Sequence, residues 1–397
     1  MVNIAKFLRY TQFCFQALLF SLWLLLPSLS CNESSARHES HKYAWEHPEP
    51  LNKADVLLAF RIDTFFQHKV KLAGMNGTVL VAHNGKVIYQ NCFGFADYHQ
   101  KTDLTDSATF QLASVSKPIT ATAVLLLHER NQLNIDDLVS KYIKGFPYEH
   151  ITIRQLLNHR SGLANYIYLF DTMKLAKDNF ITNHDVVDYF VTHKPALQAT
   201  PGHKFQYSNT NYALLAYIVE QVSGKLYPVF LEENIFTPSH MYHTYVRDVT
   251  DSTRHNNQTV GYIGTKWTRV GDVPYDGVTG DKGVYTTAWD LYLFDQALNN
   301  GLLLKKELLD EAYKGYSYEK PGQKNYGLGW RLKEFEDSSR IIYHNGWWRG
   351  YNTLFVRKPE EGTCIIVLAN KYNRNVYNVA PLYEMLGLKA GEKEGEE

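Results

Sequence analysis

Apolar residues recur along this chain with two different periods, and these periods predict where helices and strands lie. Residues 53–72 carry apolar side chains at helical spacing and predict an amphipathic helix. Its apolar members are Val56, Ala59, Phe60, Phe66 and Val70. Short runs rich in β-branched and aromatic residues predict strands. These runs occupy 78–82, 86–89, 326–332, 340–343, 352–356 and 363–368.

Glycines and polar runs mark the ends of these elements. The pair Asn84-Gly85 separates the first two strand runs and predicts a two-residue turn in a hairpin. Helices are predicted over 211–224 and 288–301, each ending at a glycine. Residues 32–52 have no apolar period and predict a polar tether, and residues 389–397 predict a charged, disordered tail.

The N-terminus has the pattern of an export signal. Lys6 and Arg9 precede an apolar stretch at 13–26, which is shorter than the roughly 20 residues of a membrane-spanning helix. Small residues then lead to Cys31, so residues 1–31 are predicted to be a signal peptide.

The end of this leader, Ser28-Leu-Ser-Cys31, resembles the lipobox of bacterial lipoproteins, although Ser28 stands where an aliphatic residue is usual. The resemblance implies that Cys31 is lipidated and that the protein is exported and membrane-anchored, facing the periplasm or the cell exterior. The alternative is cleavage after Ser30, because Ser-x-Ser also fits the small-residue rule, and this would give a secreted soluble protein.

Composition excludes several classes of function. With 41 basic and 41 acidic residues, the chain has no strong field that would attract nucleic acid or an anionic membrane. Its 16 histidines show no His-Glu-x-x-His or comparable ligand spacing, so neither a metal nor another cofactor is predicted. The 45% hydrophobic content is enough for a substantial core.

Ser114 and Lys117 are the first candidates for chemistry. They lie three residues apart where a polar loop turns into an apolar helical run, so both face one side of a helix. A serine hydroxyl becomes nucleophilic when a neighbouring base takes its proton, and a lysine with a lowered pKa is such a base. A plain N-cap serine is the alternative. The same spacing at Ser317 and Lys320 is followed at once by proline and glycine, so no helix carries that pair.

Two further motifs follow in order along the chain. Tyr207-Ser-Asn209 precedes an apolar helical run, and His344-Asn-Gly346 follows an apolar strand. Serine and lysine, then tyrosine and asparagine, then a basic residue before glycine is a catalytic motif set. The alternatives are a capping loop for the first motif and a turn for the second. Gly350, as a permissive residue, predicts a better turn a few positions later.

At these residues the chain resembles the serine β-lactamase and penicillin-binding superfamily. It is most similar to the branch of class C β-lactamases and D-alanyl-D-alanine carboxypeptidases, which has Tyr-x-Asn as its second motif. The resemblance covers about residues 55–388 and includes the stretches 110–117, 151–163, 283–290, 326–330 and 344–350.

The resemblance implies an α+β fold of the β-lactamase and transpeptidase type. An antiparallel sheet built from both ends of the sequence would be flanked by N- and C-terminal helices, within one domain over 53–388. An inserted, mostly helical region at 113–285 would close the active-site cleft. The family's sheet order would place a strand between Cys92 and Cys364, so both are expected to be unpaired, buried small residues.

The resemblance also implies a role for each site residue. Ser114 would be the acylated nucleophile, and Lys117 and Tyr207 together would take its proton, without the sequence deciding which is the base. Asn209 would orient the substrate amide and hold Lys117. The backbone N–H groups of Ser114 and Trp347, the latter after Gly346, would bind the oxyanion.

His344 departs from the lysine found in many relatives. A histidine with a pKa near 6.5 would be only partly charged at neutral pH, so carboxylate-bearing substrates are expected to bind more weakly as pH rises from about 6 to 8. Arg349 could supply the charge instead, or could be a solvated arginine of the turn.

Three functions fit these residues. The leading hypothesis is an exported serine hydrolase that acts on D-amino-acid peptides or cell-wall amides, with peptidoglycan stem peptides among the substrates. The second is an esterase or β-lactamase on the same scaffold. The third is a non-catalytic penicillin-recognising protein that is acylated but does not turn over.

Overall fold

A seven-stranded antiparallel sheet takes its strands from both ends of the chain. The computed structural model describes residues 50–171, 173, 179–250 and 257–389. In sheet order the strands are β10 (Lys324–Tyr326), β11 (Arg331–Glu334), β12 (Arg340–Trp348), β13 (Tyr351–Lys358), β14 (Thr363–Ala369), β1 (Gly77–His83) and β2 (Lys86–Phe93). The expected fold is therefore confirmed.

Within the sheet, the last strand of the chain pairs with the first. β14 pairs with β1 in antiparallel register, with Thr78 opposite Leu368 and Leu80 opposite Ile366. β1 and β2 form the predicted hairpin, and its turn residues Asn84 and Gly85 have φ values of 51° and 75°. Two positive φ values in a two-residue loop match the twist of the flanking strands, so the Asn-Gly prediction is confirmed.

Helices cover both faces of this sheet. α1 (Lys53–Ala73) and α10 (Ala380–Met385) pack on one face, over a core that includes Phe66, Val79 and Leu382. The remaining helices are α2 (Ser116–Glu129), α3 (Ile153–Leu157), α4 (Tyr166–Asp171), α5 (Asn183–His193), α6 (Asn209–Ser223), α7 (Tyr227–Leu231), α8 (Ala288–Asn299) and α9 (Lys306–Ala312). A single π-helical turn, Glu232–Phe236, follows α7.

α1 begins and ends as predicted but buries a different set of side chains. Asn52 caps its N-terminus by accepting from the backbone N–H groups of Ala54 and Asp55. Ile62 and Phe66 are fully buried, whereas Val56 and Phe60 are 56% and 69% exposed. The amphipathic helix is present, but Val56 and Phe60 lie on the side of it that faces away from the core, whereas Leu58, Ile62 and Phe66 pack against the core.

The region at 113–285 contains short strands as well as helices. Those strands are β5 (Phe110–Gln111) at its border, β6 (Tyr245–Val246), β7 (Tyr262–Ile263), β8 (Thr268–Arg269) and β9 (Val284–Thr286), and β3 (Phe95–Asp97) and β4 (Thr102–Asp103) precede them. The predicted strand 326–332 is divided between β10 and β11. The predicted helix 211–224 begins two residues earlier, at Asn209, and Ser208 before it is extended at φ −143°.

On its second face the sheet carries a buried ion pair. The Arg357 guanidinium on β13 donates from Nε to Asp295 Oδ1 on α8 at 2.5 Å. Its other nitrogens donate to Tyr313 Oη and to Asn299 Oδ1. The buried guanidinium is therefore both paired with a carboxylate and hydrogen-bonded through all three of its nitrogens. Arg357 therefore fixes α8 against the centre of the sheet.

The two described cysteines are unpaired. Cys92 lies on β2 and Cys364 on β14, with β1 between them, as the expected sheet order requires. Cys364 is buried, whereas Cys92 is only half-buried and contacts Thr78 and Asp106. Within the described ranges no helix is long and apolar enough to cross a membrane. The predicted leader, Cys31, most of the tether and nearly all of the tail lie outside those ranges.

Candidate active site

Ser114 lies in a single 3-10 turn, Ala113–Val115, that runs directly into α2. Ala113 has φ 50°, in the left-handed region that non-glycine residues rarely adopt. The turn is held from the sheet, because Thr353 Oγ1 on β13 donates to the Leu112 carbonyl at 2.7 Å. Strain of this kind persists where the surrounding structure over-determines it, and it is concentrated at functional sites.

Gly346 allows the sheet to approach this turn. A Cβ on Gly346 would lie 2.2 Å from Thr353 Oγ1 and 2.3 Å from the Leu112 carbonyl oxygen. No side chain fits there, so glycine at this position sets the distance between β12 and the Ser114 turn. His344-Asn-Gly346 lies inside β12, and the alternative that it is a turn is wrong.

Lys117 is completely buried beneath Ser114 and makes three hydrogen bonds. Its Nζ donates to Ser114 Oγ at 3.0 Å, to Asn209 Oδ1 at 2.9 Å and to the Asp281 carbonyl at 2.9 Å. Ser114 and Asn209 themselves remain partly exposed. The structure therefore brings together the serine, the lysine and the asparagine of the sequence motifs.

The chemistry of these three contacts is not equivalent. The Asn209 and Asp281 oxygens are carbonyl oxygens, which can only accept. The Ser114 hydroxyl can both donate and accept, so this contact alone can reverse its direction and carry a proton from Oγ to an unprotonated Nζ. A nucleophile within hydrogen-bond reach of a fixed amine is what acyl transfer requires.

Tyr207 lies beside this group at the start of α6. Its ring centroid is 5.0 Å from Lys117 Nζ and 5.2 Å from the Arg331 guanidinium carbon. His159 packs on its other side with a centroid separation of 4.2 Å. The side chain of Tyr207 is half-buried.

His159 also fixes the backbone around Tyr207. The His159 carbonyl accepts from Gln206 N–H at 2.8 Å, and its Nδ1 accepts from Ser208 N–H at 3.3 Å and from Asn211 Nδ2 at 3.0 Å. Burial, with smaller contributions from Lys117 and His344, lowers the pKa of His159 well below its usual value. The ring is therefore neutral, which leaves Nδ1 free to accept.

His344 is fully buried and hydrogen-bonded inside the protein. Its Nδ1 faces the Asn345 carbonyl at 2.8 Å and its Nε2 faces Tyr326 Oη at 3.1 Å. Burial, followed by the charges of Arg331 and Lys117, lowers its pKa well below the usual value. The expected loss of a partial positive charge between about pH 6 and 8 is thus wrong, because His344 is already neutral there.

Trp347 follows on β12, with its indole 59% exposed and its ring 6.0 Å from that of Tyr372. The β12–β13 hairpin closes with Trp348 opposite Tyr351, and such closing pairs exchange backbone hydrogen bonds. The next pair, Trp347 and Asn352, is therefore a non-hydrogen-bonded pair, and the Trp347 N–H points away from β13. β11 pairs with β12 only up to Tyr343, so among the described residues no strand pairs with β12 along the edge at Trp347.

Arg349 and Gly350 form the tip of this hairpin. Arg349 itself has the positive φ, 55°, and its guanidinium donates to the Gly271 carbonyl at 3.2 Å. Gly350 is required for another reason than predicted: a Cβ there would lie 2.3 Å from Tyr262 N. Arg349 is therefore an exposed turn residue that holds a neighbouring loop.

Several residues of the site were not predicted. Asp281 supplies a carbonyl to Lys117, and the adjacent Lys282 is a second buried lysine that donates to Tyr166 Oη at 2.7 Å and to the Val278 carbonyl at 3.1 Å. Burial lowers the pKa of Lys282. The sequence signal was a pair of glycines around them, Gly280 and Gly283, which have φ values of 93° and 96°. In the described part of the chain no cluster of His, Cys, Asp and Glu could hold a metal ion.

Comparison with known proteins identifies relatives over most of the chain. The sequence model of the Beta-lactamase family matches residues 62–387. The chain is 34% identical to penicillin-binding protein 4* of Bacillus subtilis, over 81% of this chain and 74% of that protein. It is 28% identical to protein flp of Staphylococcus aureus, over 78% of this chain and 62% of that protein.

Solved structures give the same result. The octameric penicillin-binding protein homologue from Pyrococcus abyssi superposes with a TM-score of 0.72 and 26% identity, over 84% of this chain and 78% of that one. A penicillin binding protein from Bacillus halodurans superposes with a TM-score of 0.70 at 23% identity, over 81% of this chain and 98% of that one, which shows the shared fold.

Proposed function

Because this chain belongs to the beta-lactamase family of serine hydrolases, we propose that it hydrolyses amide bonds in D-amino-acid peptides through an acyl-enzyme at Ser114. The observation that carries the proposal is the contact of 3.0 Å between Ser114 Oγ and the buried Lys117 Nζ. Lys117 is held there by Asn209 and the Asp281 carbonyl, so the amine is positioned before substrate arrives.

The reaction proceeds in two half-reactions. Ser114 Oγ loses its proton to Lys117 or Tyr207 and bonds to the substrate carbonyl carbon, which gives a tetrahedral oxyanion. The C–N bond then breaks, Tyr207 donates a proton to the leaving amine, and the acyl group remains on Ser114. This is the proton that Tyr207 took from Ser114 or, where Lys117 was the base, its own proton, which Lys117 then replaces. Water then adds to the acyl carbon and loses a proton to the same base. The ester C–O bond to Ser114 breaks, and the base returns that proton to Ser114 Oγ as the carboxylic acid leaves.

Two backbone N–H groups bind the oxyanion in this proposal. One is that of Ser114, at the start of the helical turn, and the other is that of Trp347. The direction of the Trp347 N–H, away from β13 at the open edge of β12, supports this role. Preorganised donors of this kind typically account for about 2.7–4 kcal/mol of transition-state stabilisation each.

The peptide assignment rests on the kind of relative that this chain resembles. Penicillin-binding proteins are its relatives both by sequence and by structure, and β-lactams are amides. The proposed substrate is therefore an acyl-D-amino-acid peptide of the cell-wall type, acted on by a carboxypeptidase or a related amidase.

An esterase is the second candidate, and one observation favours it. The histidine that replaces a lysine on β12 is buried and neutral, so this position offers no charge to a substrate carboxylate. Substrates without a free carboxylate, such as esters or peptides with a blocked C-terminus, make no ionic interaction at this position, so the replacement of lysine by histidine does not weaken their binding.

The first test is intact-mass spectrometry after exposure to a fluorescent penicillin and, separately, to a fluorophosphonate. We expect both probes to add their mass once, and we expect Ser114→Ala to abolish the addition. Ser317→Ala is the matched control, because Ser317 and Lys320 repeat the Ser-x-x-Lys spacing outside any helix. Labelling of Ser114→Ala equal to wild type would contradict the proposal.

Paired substrates then separate the two candidates. An acyl-D-Ala-D-Ala peptide and its C-terminal amide differ only in the terminal charge, and a D-Ala ester tests the leaving group. Release of D-alanine from the free peptide supports the carboxypeptidase assignment. Hydrolysis of the ester, with neither peptide cleaved, supports the esterase.

We also propose that the protein is exported and lipidated at Cys31. The support is the order of charged residues, apolar stretch and small residues over 1–31. Intact-mass measurement on membrane-extracted protein tests this, with Cys31→Ser as the variant. A chain that begins at an unmodified Cys31 would rule out lipidation.

A further inference from the structure

Lys282 is the second buried lysine of the site, and Asp281 joins it to the first. The Asp281 carbonyl accepts from Lys117 Nζ at 2.9 Å, and the carboxylate of the same residue lies 3.4 Å from Lys282 Nζ. The side chains of Asp281 and Lys282 are only 1% and 4% exposed. One residue therefore contacts both lysines, Lys117 through its backbone and Lys282 through its side chain.

The contacts of Lys282 are those of an ammonium ion. Its Nζ donates to Tyr166 Oη at 2.7 Å, to the Val278 carbonyl at 3.1 Å and to Asp281 Oδ1. Tyr166 Oη in turn donates to Asp281 Oδ2 at 3.1 Å, so it acts as an acceptor toward Lys282. Three acceptors match the three N–H donors of a protonated lysine. Lys117 differs, because one of its three partners is a hydroxyl that can also donate to it.

The backbone that carries Asp281 and Lys282 is held in place. Gly280 before them has φ 93°, and a Cβ there would lie 2.5 Å from the Tyr212 carbonyl oxygen. Thr120 Oγ1 on α2 donates to the Gly280 carbonyl at 2.7 Å. The segment is therefore fixed against α2, the helix that also carries Lys117, and a buried carboxylate on it needs its charge balanced in place.

Asp276 is a second buried carboxylate near Lys282, and it has donors of its own. Trp348 Nε1 donates to its Oδ1 at 2.5 Å, and the Val273 N–H donates to its Oδ2 at 2.8 Å. Burial lowers the pKa of Lys282, and the charges of Asp281 and Asp276 oppose that effect. The direct ion-pair partner of Lys282 is Asp281.

The other ionisable groups around Lys117 are one cation, two neutral histidines and two tyrosine rings. They are Arg331, His159, His344, Tyr207 and Tyr212. None of these five carries a negative charge at neutral pH. It is therefore the Asp281 carboxylate that has to be balanced beside Lys117.

An unbalanced Asp281 carboxylate would disable Lys117. A buried anion favours the charged form of a nearby amine, and an ammonium cannot take the proton of Ser114. With Lys282 in place, the Asp281–Lys282 pair has no net charge.

From these contacts we propose that Lys282 is a positioning residue of the acylation step. Its ammonium cancels the charge of the Asp281 carboxylate, so that Lys117 is neutral and can take the proton of Ser114. The inference rests on the proposed function, and within that function it assigns Lys117 rather than Tyr207 as the base. Lys282 acts through Asp281, not on the reacting atoms.

The test is the rate of penicillin labelling between about pH 5 and 9, followed by intact mass. The acidic limb of this profile reports the base of the free enzyme. Lys282→Met leaves the Asp281 charge unbalanced, and we expect the limb to move about one pH unit higher, with labelling about tenfold slower on it. Asp281→Asn leaves the Lys282 charge instead and should move the limb lower by a similar amount. The double variant lacks both charges and should return the limb close to that of wild type.

Lys69→Met is the matched control, because Lys69 is a buried lysine of α1 that donates to the Asn375 carbonyl at 2.7 Å. Its profile should match that of wild type. Thermal unfolding identifies the folded variants, and the Asp281→Asn profile decides the question if Lys282→Met does not fold. A limb that the single variants leave unchanged, or move in the same direction, would overturn the inference and leave Lys282 a packing role. Absence of labelling in wild type would contradict the proposed function itself, and the inference with it.

Discussion

The imidazole of His159 lies against the ring of Tyr207, with centroids 4.2 Å apart and planes inclined at 37°. The same histidine holds the backbone on both sides of Tyr207, through Gln206 N–H and Ser208 N–H. Tyr207 is therefore positioned by three contacts from one residue.

We expect His159→Phe to lower kcat by about tenfold to a hundredfold with little change in KM. Phenylalanine keeps a ring against Tyr207 but removes the acceptor for Ser208 N–H, so Tyr207 is displaced from Ser114. Steady-state kinetics on a substrate identified by the paired assays would measure this. A rise in KM at unchanged kcat would contradict it.

A double-mutant cycle separates positioning from a general loss of structure. In a Tyr207→Phe background the His159→Phe change should have almost no further effect, because the group it positions is already absent. His193→Phe is the matched control, since His193 stacks on Tyr189 at 4.3 Å on the surface. That variant should behave as wild type.

Gly346→Ala should impair acylation even though the change adds one methyl group. The added Cβ would meet Thr353 Oγ1 and the Leu112 carbonyl at 2.2 and 2.3 Å, so β12 must move away from the Ser114 turn. We expect a loss of about 1–3 kcal/mol in the free energy of unfolding and slower penicillin labelling. Gly271→Ala is the control, because no atom lies within 4 Å of its added Cβ.

Acid should destabilise the fold through two buried histidines. The pKa values of His159 and His344 are lowered in the folded protein, chiefly by burial, and both rings are neutral there. The unfolded chain takes up protons near pH 6.5, so the free energy of unfolding falls as pH decreases below that value. The slope approaches about 1.4 kcal/mol per pH unit for each histidine.

Denaturant titrations at pH 7 and pH 5 measure this slope. His344→Gln should remove about half of the histidine contribution, because glutamine has no proton to gain. An identical change between the two pH values for wild type and His344→Gln would show that His344 is not the titrating group.

Removal of one partner of the buried ion pair should cost more than removal of both. Arg357→Met leaves the Asp295 carboxylate buried without its guanidinium, and we expect a loss of about 3–5 kcal/mol in the free energy of unfolding. Adding Asp295→Leu to that variant should restore part of the loss. Thermal and denaturant unfolding of the two variants provide the comparison, and equal stability of single and double variants would contradict the prediction.

The sequence predicted those parts of the site that lie close together in the chain. Ser114 and Lys117 are joined by helical spacing, and the glycine-terminated helices and the Asn84-Gly85 turn follow from local backbone preferences. The order of the three motifs then predicted the fold through a family resemblance. These features could therefore be predicted without any information from the structure.

The features that the sequence did not predict depend on burial or on contacts between segments that are distant in the chain. The protonation state of His344 follows from complete burial beside Arg331, which one sequence does not reveal. His159 lies 48 positions before Tyr207, and only the packing of α6 brings them together. Val56 and Phe60 are apolar, but the sequence does not show that they lie on the side of α1 that faces away from the sheet.

The pairing of β14 with β1 has a consequence for how the chain folds. Thr78 and Leu368 are neighbours in the sheet although almost the whole domain separates them in sequence, so the sheet cannot close until the C-terminal strand has been made. Contacts of such long sequence separation slow folding. Before β14 pairs with β1, the edge of β1 that faces away from β2 has unpaired backbone N–H and C=O groups. Such an edge can pair with strands of other chains. Chains truncated before residue 363 should therefore aggregate during synthesis, and the complete chain should benefit from a chaperone that covers β1.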